Sequence, residues 1–352
     1  MTPSALDLRR PVFFVLALAL GAGLAITAEV GSESPRTAVG GFGCLDPGLD
    51  VKKFVGAERC AECHQAEHTT WKASQHATGF SMMHRDPKAK KIAAALGIRR
   101  IKTAASCVRC HYTPEENRGR IRARSGVSCE SCHGGARDWI EIHDTVSDVE
   151  GNDATHTAAL RQKLIDRTKA HGMRRPDDVY SLVANCFSCH LIEDSKLVAA
   201  GHPTGIGFEL LAWTQGEVRH NYLDSAGAQN AETTPDRKRL LYVMGQVLEL
   251  RSALDALSRN PANGPLHQSL KARANAARQQ LGKIVDATTE HEELGGIAQA
   301  SSTVDLTSAA SLGEAVRTID RLARRLAVRE SGKGLAGIDK LLPTAYRGAS
   351  KR

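Results

Sequence analysis

Apolar positions in the C-terminal third of the chain recur at helical spacing. Thr234-Pro235 fits an N-cap followed by proline at the first helical position. Val243, Val247, Leu250, Leu254 and Leu257 then repeat at alternating intervals of four and three, one face of a helix. Pro261 and Gly264-Pro265 interrupt the pattern. A second helix is predicted from about Leu266 to Asp286 on the face Leu266, Leu270, Ala277, Leu281 and Ile284. A third is predicted from Ser311-Leu312-Gly313-Glu314, a capping-box pattern, with Leu312, Val316, Ile319, Ala323 and Leu326 inward. Three such helices predict a small antiparallel bundle over 236–330. Residues 331–352 read as a partly disordered tail.

The pattern upstream is different. Arg9-Arg10 precede an apolar run from Val12 to about Ala28, and Ile26-Thr27-Ala28 offers small residues for cleavage. Residues 1–28 therefore read as a secretory signal. An uncleaved N-terminal anchor in the inner membrane is the alternative, since the run is near the lower limit for a span. Residues 29–55 carry Gly, Ser and Pro without periodicity and read as a linker. Residues 56–225 show no long amphipathic pattern. Short helices joined by irregular loops are predicted there.

That segment carries the chemistry. Cys60-Ala-Glu-Cys63-His64, Cys107-Val-Arg-Cys110-His111, Cys129-Glu-Ser-Cys132-His133 and Cys186-Phe-Ser-Cys189-His190 are four copies of Cys-x-x-Cys-His, the spacing of c-type haem attachment. Two thiols add to the haem vinyl groups and the adjacent His becomes the proximal iron ligand. Four covalently attached haems are thus predicted, with His64, His111, His133 and His190 as proximal ligands. Zinc is the competing reading of repeated Cys-x-x-Cys, but it does not need His after every second Cys. A thioredoxin-like reading lacks the matching βαβ pattern.

Composition fits this picture. The chain of 352 residues is only 4% aromatic, so buried porphyrins would supply missing apolar bulk. Of nine cysteines eight lie in the motifs; the ninth, Cys44, reads as a spare thiol in the linker, so no pair remains for a structural disulfide. The formal net charge is +8. Each haem adds about two propionates against about one positive charge on a ferric core, which leaves the loaded protein mildly basic and removes the argument for nucleic acid as a partner. Haem attachment to reduced cysteines after export predicts a periplasmic protein.

The sixth position of each iron decides the function. A second His closes the iron and leaves outer-sphere electron transfer; an open position permits ligand chemistry. Ten histidines lie outside the motifs: His68, His76, His84, His143, His156, His171, His202, His220, His267 and His291. Cys60-Ala-Glu-Cys63-His64 followed by Trp71-Lys72-Ala73-Ser74-Gln75-His76-Ala77 resembles the tetrahaem cytochrome c-554 family, named for the partner of hydroxylamine oxidoreductase. So does Gly126-Val127-Ser128-Cys129-Glu130-Ser131-Cys132-His133-Gly134, with His143 ten residues after His133. The resemblance covers roughly residues 56–222 and leaves the C-terminal bundle outside. It implies that His76 ligates the haem of Cys129/Cys132 and that His143 ligates the haem of Cys60/Cys63. It also implies a distal His downstream of the fourth motif, for which His202 and His220 are the candidates. The family's second haem is five-coordinate in its best-known member; here one further downstream His is present to close it. Gly134-Gly135 is read as a close backbone approach to haem, Arg137 as a propionate partner or a solvated cation, and Trp71 and Trp139 as haem-packing residues.

The expected fold is mainly α: a multihaem cytochrome c domain over 56–225, with short helices and loops around four haems, followed by the helical bundle. The expected function is electron transfer between redox-partner proteins. The alternative is a multihaem oxidoreductase acting on nitrite, hydroxylamine or nitric oxide at one open iron. A third reading is a conduit in which protomers stack or dock as a subunit of a membrane complex.

Overall fold

A computed structural model describes residues 50–144, 158–261, 263–288 and 291–348. All fall in the compact unit Gly40–Arg352. The signal segment 1–28, Cys44 and His156 lie outside the described residues. Among the described residues no helix is long and apolar enough to cross a membrane.

The fold is mainly α. The first half is built from short pieces: α1 (Ala57–Ala61), α2 (Gln65–Lys72), α3 (Gln75–Met82), α4 (Pro87–Ala95), α5 (Ala105–His111), then α6 (Cys129–His133), α7 (Ala158–Ala170), α8 (Val179–His190), α9 (Ser195–Ala199) and α10 (Leu210–Thr214). Between α5 and α6 lies an antiparallel hairpin, β1 (Thr113–Asn117) and β2 (Arg120–Ser125). The periodicity did not anticipate it. Its turn residues Arg118 and Gly119 both have positive φ, 51° and 72°, as a two-residue loop with the twist of the strands requires. The described residues just before α1, the end of the segment read as a linker, are packed: Val51 and Phe54 are buried.

The second half holds four long or medium helices. They are α11 (Pro235–Arg259), α12 (Pro265–Ala287), α13 (Glu292–Ser302) and α14 (Ala309–Arg329). Thr234 caps α11 by accepting from the Arg237 amide, with Pro235 at the first position. The apolar faces anticipated for α11, α12 and α14 are all buried. Two details differ. Helix α14 begins earlier, because Ser308 is the residue that accepts from the Ser311 amide. Helix α13 was not anticipated: it is short, carries Gly295-Gly296, and buries only Leu294 and Ile297 as apolar side chains. The described part of the tail, residues 331–348, packs on the rest of the chain. Residues Lys333–Leu341 form 3-10 turns that bury Leu335 and Ile338 completely, and the Arg347 carbonyl accepts from Glu217 while its amide donates to Ala212.

One core runs through this half and into the first. Val179, Tyr180, Val183 and Phe187 of α8 join Leu210 and Leu211 of α10 and the bundle helices in a single apolar cluster. The first half has only a small cluster of its own, Ala93, Ile101, Cys107, Val108 and Tyr112.

Candidate functional site: four pairs of histidines

Each Cys-x-x-Cys-His sequence sits at a helical turn. The second, third and fourth motifs end α5, α6 and α8 at His111, His133 and His190, while Cys60 lies in α1 and His64 precedes α2. Helical backbone puts residues i, i+3 and i+4 on one face, so each motif turns two thiols and one imidazole the same way.

Every motif histidine faces one imidazole from elsewhere in the chain. The ring centroids are 6.2 Å apart for His64 and His143, 6.2 Å for His76 and His190, 6.0 Å for His111 and His202, and 6.2 Å for His133 and His220. These rings are too far apart to stack. A metal–nitrogen bond of about 2.0–2.1 Å on each side, with about 1.1 Å from nitrogen to ring centre, sets two axial imidazoles about 6.3 Å apart. Each gap is therefore the size of a metal ion held between two histidines.

The ring environments fit the same role. His133 Nδ1 donates to the Arg174 carbonyl (3.0 Å), His143 Nδ1 to Ile140 (2.7 Å), His202 Nδ1 to Pro203 (2.7 Å) and His220 Nδ1 to Val218 (2.7 Å). A backbone carbonyl at Nδ1 fixes the tautomer that leaves Nε2 as a lone-pair donor. Burial pushes His111, His133 and His190 down to about 4, with neighbouring imidazoles adding to the effect. Burial also lowers His76, against the opposing pull of Glu217. The rings are thus held neutral, the form that binds metal. Buried polar atoms without a hydrogen-bond partner include His68 Nε2, His84 Nδ1 and Trp139 Nε1. Paired imidazoles, thiols at helical spacing and orphaned polar atoms together fit covalently attached iron porphyrin.

The pairing differs in part from the resemblance-based expectation. His143 does face His64 of the first motif. His76, expected at the haem of Cys129/Cys132, instead faces His190 of the fourth motif. The ring opposite His133 is His220, and His202 faces His111 of the second motif. The block that carries His76 does meet the third-motif block: Trp71 Nε1 donates to the Val127 carbonyl (2.7 Å), and a Cβ at Gly126 would lie 2.1 Å from the His76 carbonyl. The two blocks do touch, through the Trp71 indole and through backbone at Gly126, while the His76 imidazole passes on to the fourth motif.

The motifs themselves lie side by side. Cys60 and Cys129 are hydrogen-bonded, which raises the former thiol and lowers the latter. Asn185 Nδ2 donates to the Ser131 carbonyl (3.0 Å), joining α8 to the third motif. A hydrogen bond with Cys110 brings Cys189 down to about 7, and Arg109 Nη2 reaches the Ser188 carbonyl (3.4 Å). In space the order of motifs is first, third, fourth, second.

Two residues that the sequence reading passed over hold this arrangement. Glu130, inside the third motif, is fully buried. Its carboxylate accepts from the amides of Val55 (2.9 Å), Gly56 (2.7 Å) and Ala136 (2.9 Å), tying the first motif to the third. Arg273 of α12 is 4% exposed and reaches the fourth motif from the bundle. A charge between two motif cysteines, and an arginine in the apolar register of α12, were the available signals.

The remaining candidates are placed as follows. Trp139 is buried with its ring 5.7 Å from that of His143, and Trp71 lies 5.3 Å from His68. Arg137 is exposed. Gly134 and Gly135 admit chain and not only a cofactor: a Cβ there would meet the Gly172 carbonyl at 2.3 Å and Lys53 at 2.8 Å. His171 bonds the Arg167 carbonyl, His267 the Asn260 carbonyl, and His291 contacts Glu293 and Glu330.

Residues 59–134 match the family model described as cytochrome c554 and c-prime. A curated protein from Nitrosomonas europaea (strain ATCC 19718), cytochrome c-554, is 25% identical over 146 residues, which is 39% of this chain and 57% of that protein. The aligned part thus spans little more than half of the relative. No solved structure matches the chain.

Proposed function

We propose, from its similarity to the cytochrome c-554 family, that this protein is a tetrahaem c-type cytochrome that passes electrons between two redox-partner proteins in the periplasm. Cys60 and Cys63, Cys107 and Cys110, Cys129 and Cys132, and Cys186 and Cys189 attach the four haems. His64, His111, His133 and His190 are the proximal ligands, and His143, His202, His220 and His76 are their respective opposite numbers. The observation that carries this reading is the separation of 6.0–6.2 Å in all four imidazole pairs.

Bound haem supplies one-electron chemistry and closely spaced redox centres. The chain's own residues orient the imidazoles, and burial keeps those of His76, His111, His133 and His190 neutral. The contacts between motifs support an electron route in the order first, third, fourth, second. An oxidoreductase of small nitrogen species needs an open iron. The imidazole of His202 across from His111 speaks against one at the second motif, where the resemblance allowed it.

The test is spectroscopic. Purified protein should contain four haems per chain by pyridine haemochrome, show only low-spin ferric signals, and bind no carbon monoxide when reduced. A high-spin signal or carbon monoxide adduct at one haem per chain would overturn the closed-iron carrier in favour of the enzyme.

A further inference from the structure

The bundle sends a buried arginine to the end of the fourth motif. Arg273, from the core-facing side of α12, is 4% exposed. Its guanidinium forms a fork on the Glu249 carboxylate of α11, Nε to Oε1 and Nη2 to Oε2 (2.8 Å). Its remaining arm, Nη1, donates to two carbonyls: that of His190 at 2.8 Å and that of Thr204 at 2.9 Å. The first belongs to the last residue of the fourth motif. The second lies two residues beyond His202, the ring that faces His111. One guanidinium therefore holds the proximal histidine of one site and the loop that carries the distal histidine of another.

The surroundings are shaped for this. Gly205 has φ +79°, and a Cβ there would stand 2.5 Å from the His190 carbonyl and 3.0 Å from Arg273 Nη1. Only glycine lets the loop after His202 lie flush against the end of α8.

An arginine is a costly choice for tying two loops to a bundle. Two backbone amides or a neutral side chain could accept the same duty without burying a charge. What a guanidinium–carboxylate pair adds is a balanced dipole beside an iron ligand. We propose that Arg273 and Glu249 are positioning residues that set the reduction potential of the haem attached at Cys186 and Cys189, and that the same pair fixes the orientation of His202 at the haem of Cys107 and Cys110. The inference rests on His190 and His202 being axial ligands.

The sign follows from charge. With Glu249 ionised the pair is neutral as seen from the iron. Removing the carboxylate leaves a positive charge beside His190 in a medium of low dielectric, which disfavours the ferric state. Glu249→Gln keeps the shape of the side chain and one acceptor oxygen while deleting the charge. In a potentiometric titration of the holoprotein followed at the haem α-band, E249Q should move at least one of the four reduction steps upward by about tenfold in its equilibrium constant, or about 59 mV for one electron. A charge-neutral double variant, Arg273→Met with Glu249→Gln, removes both carbonyl anchors. It should alter the low-temperature EPR signals of two haems and leave the other two unchanged. Haem content and thermal melting of each variant report whether it has folded.

E249Q that is folded, carries four haems and titrates like the wild type would overturn the inference, because a purely structural pair would leave the potentials alone. The double variant can fail to fold without affecting that decision. Wild-type protein lacking low-spin ferric signals would instead sink the axial-ligand reading itself, so the two failures are distinguishable.

Discussion

Glu130 gives the most direct test of how the motifs are held together. Its carboxylate is completely buried and receives three amides: Oε1 takes those of Val55 and Ala136, and Oε2 takes that of Gly56. Gly56 is the N-cap of α1. Replacement by glutamine can preserve one oxygen for Val55 and Ala136, but it turns an amide group toward the Gly56 N–H, donor against donor. A buried donor left without its acceptor costs about 1–3 kcal/mol, and loss of charge assistance weakens the other two bonds. E130Q should therefore destabilise the protein by about 2–4 kcal/mol. E130A orphans the Gly56 and Ala136 amides and half-orphans Val55, and should cost about 3–6 kcal/mol. Against a typical total stability of about 5–15 kcal/mol, both are large. The assay is guanidinium chloride unfolding of the holoprotein followed by circular dichroism at helical wavelengths, with haem content measured on the same samples. The reasoning requires a graded series, wild type above E130Q above E130A. It fails if E130Q unfolds within about 0.5 kcal/mol of the wild type, the scatter of an ordinary surface substitution.

Further expectations follow from other contacts. His202→Ala should open the iron of the second motif, so that the reduced variant binds one carbon monoxide per chain while the wild type binds none. The ring planes of His133 and His220 are at 89° and those of His64 and His143 at 41°, so oxidised protein should show more than one class of low-spin EPR signal; a single class would contradict the geometry. Gly205→Ala forces an L side chain into φ +79° against the His190 carbonyl and should cost at least about 1–3 kcal/mol in denaturant unfolding. Burial works to raise the carboxyl of Asp320, yet hydrogen bonds from Tyr180 and Arg324 and the charges of Arg324 and Arg251 hold it below its usual 3.8. A depressed carboxylate contributes stability above its unfolded value and loses it as pH falls through the folded one. Asp320→Asn should therefore reduce the loss of stability on acidification below about pH 4, and an unchanged acid limb in pH-dependent melting would refute that role.

Legibility in the sequence divided along physical lines. The bundle faces were readable because buried apolar residues on a long helix repeat with the helix itself, as Val243 to Leu257 do. The hairpin was not, because Thr113–Asn117 reads Thr-Pro-Glu-Glu-Asn, with no apolar alternation, and is fixed by pairing with Arg120–Ser125. The four Cys-x-x-Cys-His motifs were readable because the spacing lies within one local stretch of sequence. The partners of their histidines were not, since the direction an imidazole points depends on where its helix packs. The blocks around Trp71 and Gly126 were linked by resemblance and do touch, through Trp71 and the Val127 carbonyl. His76, on the following helix, passes that contact and reaches His190 instead. Arg273 had a visible signal: it falls between Leu270 and Ala277 on the face of α12 that is otherwise apolar. A charge at such a position needs a buried partner, and Glu249, one helix away, supplies it.

The two halves of the chain are held by different physics. The bundle has an extensive apolar core, and α8 extends it from Val179 to Phe187, so the fourth motif is carried on a helix that the bundle fixes. The other three motifs have only the five-residue cluster around Val108 and Tyr112. Short helices of five to eight residues cannot stand alone in water, because nucleation is unfavourable and they add few bonds beyond it. Their cohesion must come from contacts that reach across the chain: the three amides on Glu130, the backbone contact at Gly126, and the four imidazole pairs. Each imidazole pair closes a loop of roughly 80–115 residues, whose entropy a single ring contact at 6 Å cannot offset. A metal ion bonded to both rings can, and ligand binding of that strength becomes folding free energy. In this half of the molecule a bound prosthetic group would fill the place that the extensive apolar core takes in the bundle.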